Sequence, residues 1–148
     1  MKTSYISYKN FIHILKKCIK EMLLFLKDTT VLQFYIVSDD VNYNYKSSYW
    51  IIKHIENYID LSKYTIKIIT NIKELNLSET IIIPDDASYS GSQIANTLDN
   101  FNGLKCNIYI FIPFISNKAI DSFRENEIDG SLYFINKSKY MKLWMLIK

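Results

Sequence analysis

Hydrophobic residues near the N-terminus return every three or four positions, with lysines between them. This spacing predicts an amphipathic helix within residues 1–28, because one face of an α-helix repeats with that period. Its apolar face consists of Phe11, Ile14, Leu15, Cys18, Ile19, Met22 and Leu26. A second helical pattern follows in SSYWIIKHIENYIDL, where Ser47 or Ser48 is the expected N-cap.

Continuously apolar runs alternate with the helical segments. They predict strands at residues 31–37, 63–70, 80–86, 105–115 and 130–136. Two more helices are expected, one over 90–101 closed by Gly103 and a short one that starts at Ser116 or Asn117. Strands that alternate with helices and are apolar throughout are typical of a mainly parallel sheet with helices on both faces. The pattern therefore predicts an α/β protein.

The 148 residues have the size of one compact domain, and no linker or internal repeat interrupts the pattern. We divide this single domain into the N-terminal helix (1–28), a core (31–135) and a C-terminal tail (136–148) of undetermined structure. Pro113 falls within the most apolar predicted strand. Since proline cannot donate a hydrogen bond to a neighbouring strand, we expect an edge strand or a strand end there.

Composition narrows the classes of function. The net charge is +3 and the lysines are scattered, so we expect no nucleic-acid partner. No apolar run is long enough to cross a membrane, and no signal-peptide cleavage site is visible. We therefore expect a cytoplasmic protein (in the host cytoplasm if the gene is viral) without a membrane partner, and a homodimer stays open. The many Ile, Lys, Asn and Tyr residues are typical of an AT-rich genome, and Cys18 and Cys106 lack metal-ligand spacing.

One segment, TIIIPDDASYSGSQIANTL (80–98), combines features that suit a phosphorylated sugar. The third strand is expected to end at Asp85 and Asp86, at the edge of the sheet where parallel α/β proteins bind ligands. The next helix offers free N–H groups to an anion, and Gly91 lets the backbone approach it without a Cβ in the way. The two carboxylates cannot hold a phosphate, so they would serve vicinal sugar hydroxyls or a divalent metal. A sugar 5-phosphate has both a phosphate for the free N–H groups and hydroxyl groups for the carboxylates.

The stretch IIIPDDASYSGSQ (81–93) resembles the phosphoribosyl pyrophosphate signature of the type I phosphoribosyltransferases. The resemblance implies a phosphoribosyltransferase-like Rossmannoid core that binds phosphoribosyl pyrophosphate or a nucleoside 5′-monophosphate. By this resemblance, Asp85 and Asp86 would hold the ribose 2- and 3-hydroxyl groups. The residues that would surround the 5-phosphate are Ser88, Tyr89, Ser90, Gly91, Ser92 and Gln93. Ser116 and Asn117, after the fourth strand, would contact the base.

The chain departs from the family pattern at three places. The loop that holds pyrophosphate in active members is here SDDVNYNYKSS (38–48), without glycine and with Lys46 as its only cation. The connection 71–79 is short for a mobile lid. Tyr89 stands where several purine enzymes have an acidic base, and a phenol hydroxyl is a poor base at neutral pH. Whether the protein is an enzyme, which would then be a phosphoribosyltransferase, is therefore left open.

A second acid pair, Asp39 and Asp40, ends the first predicted strand. If that strand is a near neighbour of the motif strand, four carboxylates face one crevice and would bind Mg²⁺. The alternative is that Asp39 and Asp40 are turn formers before Asn42 and Asn44.

Three classes of function remain. The first is an active phosphoribosyltransferase that uses Mg²⁺. The second is a catalytically degenerate protein of the same fold, with a regulatory, structural or protein-binding role, that binds a nucleotide or phosphorylated ribose without turnover. The third is a structural α/β domain with a protein partner, in which DDASYSGSQ is only a strand end and a helix cap.

Overall fold

A computed structural model of the chain describes residues 7–37, 44, 46–125, 130–134 and 141–147. The helices are α1 (Tyr8–Phe25), α2 (Ser47–Glu56), α3 (Ser92–Asp99) and α4 (Asn117–Glu125). The strands are β1 (Val31–Tyr35), β2 (Thr65–Ile69), β3 (Ile81–Pro84), β4 (Ala87–Ser88), β5 (Ile108–Ile115), β6 (Gly130–Phe134) and β7 (Met141–Ile147). The predicted helices and strands are therefore present, and two strands, β4 and β7, were not predicted.

The strands form one sheet in the order β2-β1-β3-β5-β7-β6. β1, β2, β3 and β5 run parallel, and the short β4 adds a parallel pair to the end of β5. β7 runs antiparallel to both β5 and β6. The motif strand β3 lies between β1 and β5, which confirms that it is a central strand.

Helices cover both faces of the sheet. On one face, α1 and α2 pack on the strands through Leu15, Cys18, Ile19, Met22, Ile51, Ile52 and Ile55. On the other face, α3 and α4 contribute Ile94, Leu98, Ala119, Ile120 and Phe123. Strands β3 and β5 place side chains in both clusters, which explains why their sequences are continuously apolar. The predicted fold class, a mainly parallel sheet between two helical layers, is confirmed.

Two local predictions are wrong. The first is the cap of α2, because Lys46 is the N-cap and makes no side-chain capping hydrogen bond, while Ser47 and Ser48 lie inside the helix. The second is the position of Pro113, because β5 is paired on both sides. The register between β5 and β7 shifts between Ile112 and Ile115, so the proline lies at an irregularity, where its missing N–H interrupts no regular ladder.

Candidate ligand site at the carboxyl edge of the sheet

The strand order creates a topological switch point between β1 and β3. From β1 the chain crosses to β2 on one side, whereas β3 and β5 lie on the other side. In open α/β sheets, ligands bind in the crevice beyond the carboxyl ends of the strands at such a point. A cleft of about 570 Å³ opens there. This volume is typical of sites for small molecules.

The cleft is lined by four segments of the chain. They are the end of β1 (Tyr35, Ile36, Val37), the start of α2 (Lys46, Ser48), the end of β3 (Ile83, Pro84) and α3 with its preceding loop (Ser90, Ser92, Gln93, Ile94, Asn96, Thr97). Three residues that were predicted from the motif, Ser90, Ser92 and Gln93, thus share one cleft with a cation. Lys46 supplies that positive charge, and its Nζ donates a hydrogen bond to the carbonyl of Val37.

Sequence reasoning did not assign Asn96 to the site. It follows Gln93 by three residues, so both amides lie on the same side of α3. This helical spacing of polar residues was the signal that could have identified it.

The acid pair lies at the end of β3, as predicted, but its two members differ in environment. Asp85 is only 3% exposed, whereas Asp86 is half-buried. The backbone N–H of Asp85 donates to the carbonyl of Phe111 (2.9 Å), which extends the pairing with β5 by one residue. Neither aspartate is part of the cleft lining.

The carboxyl group of Asp85 already has partners within the protein. It accepts a hydrogen bond from the Asp86 N–H (2.9 Å), and the side chain of Ser47 at the start of α2 favours its charged form. Burial, followed by the neighbouring Asp86 carboxyl group, raises the pKa of Asp85 to about 7. Asp85 therefore connects the motif to α2, a role that the sequence did not suggest.

The motif loop begins as a short strand. Ser88 is buried and pairs with Ile115 in the ladder between β4 and β5, whereas Tyr89 is 80% exposed. The Ser90 and Ser92 hydroxyl groups lie 3.0 Å apart, and Ser90 Oγ accepts a hydrogen bond from the N–H of Ser92 (3.3 Å). The serines thus line the entrance to α3, which begins two residues later than the predicted 90–101.

Gly91 is the N-cap of α3 and has a left-handed backbone conformation, with φ of 79°. A Cβ built at this position would lie 3.0 Å from Phe123 Cε1 and 3.2 Å from the Ala119 carbonyl oxygen. The missing Cβ therefore makes room for α4, so the expectation that it makes room for a ligand is wrong. The place of Gly91 in a phosphate loop stays a prediction.

The first turn of α3 offers donors to an external acceptor. Within the part of the chain that the structure describes, the N–H groups of Gln93 and Ile94 have no hydrogen-bond acceptor; the next N–H, of Ala95, donates to the Gly91 carbonyl (2.9 Å). Free N–H groups at a helix start, with the positive end of the helix dipole, favour an anion.

Ser116 lies between β5 and α4, at one of the two positions predicted for the start of this helix. Its Oγ donates to the carbonyl of Tyr89 and accepts from the N–H of Ala119 (3.1 Å), so the hydroxyl caps α4 and contacts the motif loop. Asn117 is exposed as the first residue of α4. Contact of either residue with a base stays a prediction.

The remaining sequence predictions meet the structure only in part. Asp39 and Asp40 lie outside the described residues. Within the described residues, no group of three or more His, Cys, Asp or Glu side chains could hold a metal ion.

The connection 71–79 is tied to β1 by two hydrogen bonds between Gln33 and Asn76, of 2.9 and 3.2 Å. None of the helices in the described part of the chain has the length and hydropathy of a membrane span.

The fold and the position of the cleft together define a class of structure, the phosphoribosyltransferase-like α/β fold. The chain is similar to a solved hypoxanthine-guanine-xanthine phosphoribosyltransferase, with a TM-score of 0.51 and 10% sequence identity. The match covers 93% of this chain and 89% of that one. No protein-family model matches the sequence, and no curated protein sequence matches it. The likeness is thus one of fold.

Proposed function

We propose that this protein binds phosphoribosyl pyrophosphate or a nucleoside 5′-monophosphate at the switch point between β1 and β3. One observation carries the proposal. The cleft at the carboxyl edge of the sheet brings the donors at the start of α3 together with the cation of Lys46. The fold likeness to a phosphoribosyltransferase supports the same ligand class.

Each part of the cleft suits one part of such a ligand. The N–H groups of Gln93 and Ile94, with the hydroxyl groups of Ser90 and Ser92, can hold a 5-phosphate. Lys46 provides a charge for further phosphate oxygens. Asp86, which lies outside the cleft lining but is the more accessible member of the acid pair, can accept hydrogen bonds from ribose hydroxyl groups.

A Mg²⁺ ion fits this arrangement only if the phosphate groups of the ligand supply part of its coordination. Magnesium in nucleotide sites is usually held by one or two carboxylates together with substrate phosphates and water, and Asp86 is a carboxylate beside the expected ribose. The ion would neutralise the charge on pyrophosphate. We therefore expect Mg²⁺ to strengthen binding of phosphoribosyl pyrophosphate and to have little effect on ribose 5-phosphate.

A protein that binds this ligand can be an active transferase, the first candidate, or can bind without turnover, the second candidate. The connection 71–79 is fixed by Gln33 and Asn76, whereas an active enzyme of this family would need a mobile lid there. Tyr89 points its exposed side chain to solvent and is a poor general base. These observations favour a degenerate phosphoribosyltransferase fold with a regulatory or assembly role over an active one.

Isothermal titration calorimetry tests the binding proposal. Ribose 5-phosphate, GMP and phosphoribosyl pyrophosphate with Mg²⁺ should bind, and ribose without phosphate should not. Lys46→Gln should lower the affinity about tenfold, the value of one charge-assisted hydrogen bond. Lys105→Gln is the matched control, because this exposed lysine precedes β5 at the opposite edge of the sheet. Equal weak heats for ribose and ribose 5-phosphate would exclude the proposal.

Release of pyrophosphate in the presence of purine and pyrimidine bases separates the two candidates. An active transferase should release it in proportion to the nucleotide formed. A protein that binds phosphoribosyl pyrophosphate but releases none with any base belongs to the second class.

A further inference from the structure

The back of the motif loop is attached to the junction between β5 and α4. The N–H of Ser116 donates to the carbonyl of Ser88 (3.0 Å), and its Oγ donates to the carbonyl of Tyr89. The same Oγ accepts from the N–H of Ala119 (3.1 Å). One residue therefore fixes two consecutive carbonyl groups of the loop and the first turn of α4.

Gly91, two residues after Tyr89 in the loop, is fixed by packing against the same helix. The Cα of Gly91 lies so close to α4 that an added Cβ would meet Phe123 and Ala119 within 3.0–3.2 Å. The loop thus has one side that contacts α4 and another that faces the cleft through Ser90 and Ser92. Its conformation depends on α4 as much as on its own sequence.

We infer that Ser116 is a positioning residue, which sets the conformation of loop 88–92 and through it the geometry of the phosphate donors at the start of α3. The inference rests on the proposed function for its ligand. The attachment of the loop to Ser116 is independent of the proposed function. Ser116 reaches no phosphate itself, because its hydroxyl is already engaged by Tyr89 and Ala119.

The physical reason is preorganisation. A phosphate is held well only if several N–H groups converge on it, and a loop that is free to move must first lose conformational entropy. The hydrogen bond from Ser116 to Tyr89 joins residues that are 27 positions apart in the chain, so no local turn replaces it. Without this hydroxyl, the loop should sample conformations in which its donors diverge.

Two variants test the role of the Ser116 hydroxyl, and a readout at loop 88–92 distinguishes positioning of the loop from capping of α4. Ser116→Ala removes the hydroxyl, and Ser116→Thr keeps a hydroxyl that can cap α4 and donate to Tyr89. Ser78→Ala is the matched control, because its exposed hydroxyl also makes one local hydrogen bond, to Asn76 Oδ1 (2.7 Å), but lies away from the motif. All proteins are compared at a temperature where each is fully folded.

Hydrogen exchange measured by mass spectrometry provides a readout that needs no ligand. Ser116→Ala should accelerate amide exchange of the peptide that covers residues 88–92 by about fivefold or more, while Ser116→Thr and Ser78→Ala leave it unchanged. Unchanged exchange in Ser116→Ala would overturn the inference.

Calorimetry with ribose 5-phosphate provides the second readout. Ser116→Ala should weaken binding at least fivefold and Ser116→Thr should restore it. Faster exchange with unchanged affinity would overturn the inference, because the loop would then be held for stability alone. If wild type binds no phosphorylated ribose at all, the proposed function is wrong, and the exchange experiment alone decides whether Ser116 positions the loop.

Discussion

Helices α3 and α4 both begin at the carboxyl edge of the sheet, yet they begin in different ways. The first turn of α4 is completed by its own chain, since the Ser116 hydroxyl accepts from the N–H of Ala119. The first turn of α3 starts from Gly91, which has no side chain to accept its N–H groups. A closed helix start serves the fold, whereas an open start next to a cleft leaves its donors to a ligand. The two starts also touch each other, because the loop before α3 is attached to α4.

The largest effect should come from filling the space between the two helices. Gly91→Ala should lower the free energy of unfolding by about 2–4 kcal/mol, because the left-handed backbone and the contact with Phe123 both oppose a Cβ. Gly103→Ala is the control: its φ is 80°, and nothing lies within 4 Å of the added Cβ. Urea unfolding should show a loss of only about 1 kcal/mol for Gly103→Ala. Equal losses would mean that α4 does not constrain the loop.

The next effect concerns the two aspartates as ligand-holding groups. Asp86→Asn should weaken binding of ribose 5-phosphate by about 1.5–3 kcal/mol, or roughly ten- to a hundredfold, with little change in melting temperature. Asp85→Asn should instead act mainly on stability, because Asp85 is almost fully buried and already accepts the hydrogen bond of the Asp86 N–H. Calorimetry and thermal melts on both variants check this division. The reverse result would assign the ribose to Asp85.

The pH dependence of stability should reveal the buried carboxyl group. Because its folded pKa is raised to about 7 from about 4, Asp85 holds its proton more tightly in the folded protein. Its contribution to stability is therefore lost as the pH rises from about 4 to about 7. Asp85→Asn lacks this loss, so its stability relative to wild type should increase by up to about 1.4 kcal/mol per pH unit in that window. Urea unfolding at pH 5, 6, 7 and 8 measures it, with the exposed Asp99→Asn as the matched control variant.

The smallest effect should appear at the open helix start itself. Ser90→Ala removes two exposed hydrogen bonds, one from the N–H of Ser92 (3.3 Å) and one between the Ser90 and Ser92 hydroxyl groups (3.0 Å), so we expect a loss of about 0.5 kcal/mol or less in urea unfolding. Ser116→Ala, at the closed start of α4, should cost about 1 kcal/mol or more. A larger cost for Ser90→Ala than for Ser116→Ala would reverse the comparison between the two starts.

The sequence predicted the fold well because the fold depends on periodicity. The apolar runs in β3 and β5 and the helical spacing in α1 have one explanation each, so the mainly parallel sheet and its two helical layers followed. The tail was undetermined because MKLWMLI (141–147) fits a strand or a helix, and only its pairing with β5 and β6 decides between them. Pro113 was misplaced because a register shift depends on the partner strand.

The sequence predicted which segment forms the candidate site, but not which of its residues face the cleft and which face the rest of the protein. The motif predicted a loop over 87–91 that leads into a helix at the carboxyl edge, and the structure has β4 at 87–88 followed by a loop that enters α3 at Ser92. Nothing in the motif indicated that Gly91 faces α4 or that Asp85 turns towards Ser47, since both depend on elements far away in the chain. Long-range packing therefore divides the motif into residues that face the cleft and residues that hold the loop.

The position of β7 has a consequence for how the chain reaches this structure. β5 is the longest strand and nearly all of it is buried, but one of its two edges is covered only when residues 141–147 pair with it. During synthesis, β5 is complete well before β7 exists. The backbone N–H and C=O groups on that edge of β5 therefore stay unpaired until β7 is made. Exposed edges of this kind attract strands from other molecules. We therefore expect chains shortened before Met141 to aggregate during expression, even though the motif, the cleft and every helix described above would still be encoded.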